Sequence, residues 1–266
     1  MKAPKMNVDR IKRYLAEGKR FDGRKPEEFR DLEISFGVSK KAEGSARVKL
    51  GDTEVIVGVK MAVGQPYDDS PNKGNLMVTA ELLPLSSSRF ELGPPKFPAI
   101  ELGRLVDRGI REGRFIEFEK LCIKEGEKVW TIFVDVYAIN DAGNLLDAAG
   151  IGAVAALKNA KIPKYDEKEE KIVYEESSGN PVPLTKEVPI SITFHKIGDQ
   201  IVVDPTREEE DAAEAKVTIG LSNGVISSMQ KGNEEAIDTE LFGKMLDAVE
   251  GIWDDLNKKV EKALKQ

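Results

Sequence analysis

The stretch that most constrains this fold is Asp135–Leu157, DVYAINDAGNLLDAAGIGAVAAL. Its front end continues the run Val129-Trp130-Thr131-Ile132-Phe133-Val134, whose β-branched and aromatic residues predict a strand. Asn140-Asp141-Ala142-Gly143-Asn144 is turn chemistry, because Asn, Asp and Gly tolerate positive φ and hydrogen-bond their own backbone. From Leu146 to Leu157 nearly every residue is Ala, Gly, Ile, Leu or Val, and only Asp147 is charged. A helix apolar on every side must be covered on every side. The chain therefore has to wrap other elements around this helix, and its small residues let them come close. The helix start aims unpaired N–H groups and partial positive charge at the turn, a natural anion site. Whether that turn still holds an anion is the functional question.

The 266 residues can bury a large core. Forty basic against 47 acidic residues give a net charge of −7, so any RNA or DNA contact would have to come from a local basic patch. The start, MKAPKMNVDRIKRYLAEGKR, lacks the apolar segment of a secretory signal. No apolar run reaches the ~20 residues of a membrane helix, so the expected location is cytoplasmic, with no membrane partner. With one cysteine, Cys122, and one histidine, His195, there is no intramolecular disulfide, zinc-type ligand set or Ser–His pair. No metal, cofactor or catalytic residue is assigned. Cys122 reads as a small core residue and His195, in ISITFHK, as a cross-strand surface residue. Many Glu and Lys with little Cys and His lean toward a thermophile.

In chain order, Asn7–Ala16 is a short amphipathic helix, and Leu32–Val38, Ala46–Leu50, Glu54–Met61 and Leu76–Leu83 read as strands. A helix from about Ala99 turns Ile100, Leu105, Val106 and Ile110, with Leu102 flanking, to a core and Arg104, Arg108 and Arg111 outward. Lys158–Glu187 is a charged crossover with room for an edge hairpin. Four strand-like runs follow, Val188–Lys196, Gln200–Asp204, Lys216–Ser222 and Val225–Lys231, with Asn223-Gly224 as a two-residue hairpin turn. Asp238 caps a terminal helix striped by Leu241, Met245, Val249, Ile252, Leu256, Val260 and Leu264. Strands then helices, twice over, predict an α+β protein of two β-sheet/helix halves. The divisions are an N-terminal helix and arm (1–30), a first half (31–163), a crossover (164–188) and a second half (189–266).

Three charged groups stand out. On spacing alone, Arg104, Arg108 and Arg111 are a solvated face paired as Glu101–Arg104, Asp107–Arg111 and Arg108–Glu112. The acids Asp204, Glu208, Glu209, Glu210, Asp211 and Glu214 read as a solvated loop rather than a divalent-metal site. Lys19, Arg20, Arg24 and Lys25 suit local pairing as well as contact with a nucleic acid or an acidic protein surface.

Several motifs in order resemble the RNase PH family of phosphate-dependent 3′-to-5′ exoribonucleases. They are Phe21-Asp22-Gly23-Arg24, Gly44–Arg47 leading into Gly51–Val57, Glu101–Arg111, Asp135–Ala153 and Val202–Thr206. Within the family they are most similar to the non-catalytic ring subunits of the archaeal exosome. The resemblance implies the RNase PH fold (ribosomal protein S5 domain 2-like) and a hexameric ring of three heterodimers with a catalytic RNase PH-like paralogue. It also implies RNA-binding cap subunits, single-stranded RNA as a partner, and RNA contacts from Arg104 and Arg108, with Arg111 beside them. Active members hold the attacking phosphate with a Gly-Thr-Arg turn, where this chain has Asn144-Leu145-Leu146. They place an Asp for acid or metal chemistry where Lys216 follows Glu214-Ala215, and a basic pair near Phe97-Pro98. Leucine offers no side-chain donor and an ammonium repels a divalent metal, so the expected role is non-catalytic: ordering the partner's active site and touching RNA. The alternatives are a self-sufficient phosphorolytic homohexamer and an interaction module that never meets RNA.

Overall fold

The computed structural model describes residues 5–166 and 169–265. Residues 1–4 of the expected arm, 167 and 168 of the crossover, and 266 lie outside the described residues. The strand–turn–helix unit forms as its composition demands, with β6 (Lys128–Asn140) turning at 141–144 into α3 (Leu145–Asn159). Eleven of the fifteen α3 residues are buried. Gly152 is required there, because a Cβ would lie 2.7 Å from Val57 Cγ2.

The first sheet contains β1 (Leu32–Phe36), β2 (Gly44–Leu50), β3 (Thr53–Gly64) and β4 (Asn75–Leu82), in the order β1-β2-β3-β6-β4. The short β5 (Cys122–Lys124) pairs with β6. Burial alternates along β3, so one face of this sheet meets the core. Only β4 runs parallel to β6, and the connection this requires carries α2 (Phe97–Glu112). The buried stripe of α2 is Ala99, Leu102, Leu105, Val106 and Ile110. Ile100, expected in the core, lies off that stripe and is 50% exposed, while the flanking Leu102 is fully inside.

The crossover folds into a two-stranded ribbon of β7 (Lys161–Asp166) and β8 (Lys171–Pro181). The second sheet has β9 (Pro189–Ile197), β10 (Gln200–Val203), β11 (Ala215–Ser222) and β12 (Val225–Gly232), antiparallel in the order β10-β9-β11-β12. Asn223 and Gly224 form the hairpin turn with φ of 52° and 73°. Asp238 caps α5 (Thr239–Ala263) by accepting from the Leu241 N–H at 2.8 Å. The predicted apolar stripe of α5 is buried, Leu264 partly so. Helices α3 and α5 both pack on β9, which has no solvent side. His195 is therefore not a surface residue but 1% exposed. Cys122 is half-buried at a short edge strand rather than in the core.

Helix α1 (Lys5–Ala16) lays Ile11 and Leu15 against Ile197, Val202 and Ala212, the last on α4 (Arg207–Ala212). The acidic run is thus a short helix with a capping box: Thr206 Oγ1 accepts from the Glu209 N–H, and Glu209 Oε2 from the Thr206 N–H. Among the described residues no helix is long and apolar enough to cross a membrane.

Candidate functional site

The turn between β6 and α3 sits where both halves meet. Gly143 has φ 93°, and a Cβ there would come within 2.4 Å of Pro205 O, so the turn can lie against the start of α4 only with glycine. Asn144 follows with φ 59°. Its side chain turns inward and is 1% exposed, donating to Asp147 Oδ2 and Asp204 Oδ1, each at 3.0 Å. Its backbone N–H, at the start of α3, donates to Glu210 Oε2 at 2.9 Å. The anion at this helix N-terminus is the protein's own carboxylate.

The surrounding charges compensate one another. Arg207 donates to both Asp141 oxygens at 3.1 Å, lies 3.1 Å from Glu210 and bonds Asp211 at 3.0 Å. Arg89 bonds both oxygens of Asp211 at 2.8 Å. Lys216 pairs with Glu101 of α2 at 2.8 Å. Arg89, Glu101, Asp141, Arg207, Glu210 and Lys216 line a cavity of about 630 Å³ together with Phe97, Pro98, Leu145 and Leu146. Its remaining lysine, Lys96, pairs with Glu91, so every cation on the wall is engaged by a carboxylate. An incoming oxyanion would meet no free cation and two leucine side chains.

A second network lies beneath. Arg30 clamps Asp204 at 2.6 and 2.9 Å and donates to the Ala142 and Gly143 carbonyls, while Arg24 reaches Asp204 at 2.9 Å. Arg20 grips Glu209 at 2.6 and 2.9 Å. Burial alone would raise the Asp204 carboxyl, but Arg30 and the other donors outweigh it and hold it below the usual range. The acidic run is therefore not a solvated loop, and Arg20 is not a solvated cation: the two clusters meet through Arg20–Glu209 and Arg24–Asp204. Among the described residues no three metal-type side chains converge. Asp147 sits wholly inside, accepting from Thr193 Oγ1 at 2.7 Å, the Thr193 N–H at 3.1 Å and Asn144. Burial pushes its pKa up to about 7 against those hydrogen bonds. Burial, with help from Lys216 and Arg207, pushes His195 down to about 3, so its imidazole is neutral.

The arginines of α2 form a separate cleft of about 440 Å³ with Asp107 and Gln230. Two of the expected pairs are missing. Glu101 has gone to Lys216, and among the described residues Arg104 and Arg108 form no ion pair, both being exposed. Arg111 donates to Asp107 at 2.8 and 3.2 Å and lies 5.5 Å above the Phe118 ring. The two free guanidinium side chains start one helical turn apart, about 6 Å along the axis.

The predicted site residues thus fall in two places, with Asn144, Leu145, Leu146 and Lys216 around the cavity and Arg104, Arg108 and Arg111 in the cleft. Within the first group Asn144 is a structural tie rather than part of the wall. Residues not singled out by pattern are Arg30, Arg89, Asp141, Asp147 and Arg207. Thr206-x-x-Glu209 is a readable capping-box signature that would have revealed α4, and with it the Arg207–Asp211 pair. The partners of Arg30 and Arg89 are distant in sequence and left no local signal.

Residues 28–163 match domain 1 of the 3′ exoribonuclease family, and residues 187–248 match its domain 2. Exosome complex component Rrp42 of Thermococcus onnurineus is 49% identical over 84% of this chain and 82% of its own length. The Rrp42 component of Archaeoglobus fulgidus is 46% identical over 90% of each. A solved chain from the Archaeoglobus fulgidus exosome with RNA bound to the active site superposes with a TM-score of 0.88 at 43% identity, covering 96% of this chain and 97% of that one. Rice Rrp46, at 17% identity and a TM-score of 0.68, shares the fold.

Proposed function

Because the chain belongs to the 3′ exoribonuclease family and carries both of its domains in order, we propose that it is a non-catalytic subunit of an exosome core. It alternates with a catalytic RNase PH-like paralogue in a ring of three heterodimers, capped by RNA-binding subunits. Phosphorolysis needs inorganic phosphate held by cations or N–H donors beside the scissile bond. The observation that carries the reading is the Glu210 carboxylate on the Asn144 N–H. A phosphate there would have to displace a carboxylate already paired with Arg207. With Leu145 and Leu146 in place of side-chain donors, only helix-dipole attraction of ~1 kcal/mol would draw it in.

The contribution to RNA handling lies on α2. Arg104 and Arg108 are uncommitted, and their spacing suits successive backbone phosphates of a single strand. Arg111 supports the cleft through Asp107 and Phe118. Such contacts carry little base preference and weaken with salt. The test mixes this chain with its catalytic paralogue and follows particle mass and phosphate-dependent shortening of RNA for each protein alone and together. The reading predicts shortening only when the paralogue is present. Release of nucleoside diphosphates by this chain alone would establish the homohexameric nuclease instead.

A further inference from the structure

The cleft beside α2 has two walls. Arg104 and Arg108 stand on the helix, and Gln230 of β12 stands across from them. Gln230 pairs with Thr218 on β11, so the two side chains share one face of the second sheet. Thr218 meets Thr193 inside on that face, and further along β12 a Cβ on Gly232 would lie 3.1 Å from Glu101 Oε1 of α2. The face that carries Gln230 is therefore the one that α2 covers. The Gln230 amide is half-buried and, among the described residues, has no hydrogen-bond partner. It offers both an acceptor and donors to whatever enters the cleft. The other polar groups on the walls are engaged or act in one sense only. Asp107 is held by Arg111, Arg104 and Arg108 can only donate, and ionised Glu112 can only accept. Among the described residues no aromatic ring lines the cleft, so a base finds no platform to stack on. A strand laid here is held by its phosphates and sugars rather than by its bases.

We infer that Gln230 reads the ribose 2′-hydroxyl of the bound strand and gives the cleft a preference for RNA over DNA. The inference rests on the reading of Arg104 and Arg108 as RNA-backbone contacts. With those two guanidinium groups on successive phosphates, the ribose between them faces the opposite wall, where the amide stands. A 2′-hydroxyl both donates and accepts, and a primary amide can answer it in either sense, whereas a guanidinium or a carboxylate answers in one. A deoxyribose puts carbon against the amide and leaves it without a partner. Since the amide is only half-buried, water replaces part of the lost bond. The preference is therefore about fivefold, the worth of one ordinary hydrogen bond.

The experiment uses the full chain in complex with its catalytic paralogue, without inorganic phosphate so that the strand stays whole. Single-stranded RNA oligonucleotides of one sequence carry a single 2′-deoxy substitution, walked along the strand from the 3′ end. Affinity is measured for the parent complex and for Gln230→Met and Gln230→Ala, with particle mass reporting assembly of each. The parent should lose about fivefold at one or two adjacent positions. Both variants should bind the all-ribose strand about fivefold more weakly and show no further loss at those positions. A parent insensitive at every position would overturn the inference, as would variants that keep the parent's sensitivity. Variants that weaken the all-ribose and the substituted strands alike would overturn it too, because a merely structural role does that. The Arg104→Glu/Arg108→Glu complex is measured beside them. Unaltered affinity there removes the RNA reading and this inference together, whereas weakened affinity with an inert Gln230 removes this inference alone.

Discussion

Two arginine-bearing surfaces lie on this molecule, and they are built in opposite ways. Around the β6–α3 turn every guanidinium meets a carboxylate of the same chain: Arg207 with Asp141 and Glu210, Arg89 with Asp211, Arg30 with Asp204. On α2, Arg104 and Arg108 stand in solvent without an ion pair among the described residues. Paired cations hold a fold together and cannot recruit an anion, whereas free cations add little to the fold and can. The difference separates a surface whose charges are spent on structure from one whose guanidinium groups are left unpaired among the described residues.

The comparison breaks most visibly if the paired side is stripped. Asp204→Ala leaves Arg24 and Arg30 facing a buried gap and frees the Asn144 amide. Urea unfolding should show a loss of about 3–5 kcal/mol. A loss under 1 kcal/mol would mean the network is not structural.

Asp147 sharpens the same side through pH. Its folded pKa, about 7, lies above the ordinary carboxyl value of 3.8, so the folded state holds a proton that the unfolded chain releases. Stability from this group is complete below pH 4 and is lost as pH rises toward 7. Asp147→Asn keeps the shape and cannot ionise. Its stability relative to the parent should rise by about 2–3 kcal/mol between pH 5 and pH 8. His195 acts with the opposite sign, because its pKa falls from 6.5 to about 3 and its contribution is lost on acidification between those values.

On the free side, Arg104→Glu with Arg108→Glu should weaken RNA binding by the complex while leaving assembly intact. The arginines' share of the salt dependence should disappear, cutting the slope of log K against log salt by about 1.4 for two single-strand contacts. Unaltered affinity and slope would remove both residues from the RNA path. Arg111→Ala should act the other way round, costing up to about 1 kcal/mol of stability through Asp107, with little change in slope.

The all-apolar helix predicted its own burial, and the Asn223-Gly224 hairpin and the terminal stripe were equally legible, because periodicity and turn chemistry are local. Ile100 was misplaced because helical spacing leaves the edges of a stripe ambiguous until the partner strand is known. His195 looked like a surface residue since alternation along one strand cannot reveal that helices cover both sides of the sheet. The acidic run reads as a solvated loop for a related reason, and the same distance leaves the basic arm open between local pairing and an outside partner: Arg20 meets Glu209 across 189 residues, and Arg24 meets Asp204 across 180. Leu145, Leu146 and Lys216 were visible as substitutions within the resemblance. The carboxylate supplied by Glu210 was not, since only the fold brings α4 to the turn.

The central claim is that the turn at 141–146 no longer takes phosphate because the chain's own carboxylate holds its N–H. The most direct measurement is phosphate titration of the isolated chain by calorimetry, beside a Glu210→Gln/Leu145→Thr/Leu146→Arg variant. The account predicts no saturable binding by the parent at millimolar phosphate and measurable binding by the variant. Saturable binding by the parent, with phosphate-dependent release of nucleoside diphosphates from RNA, would contradict it.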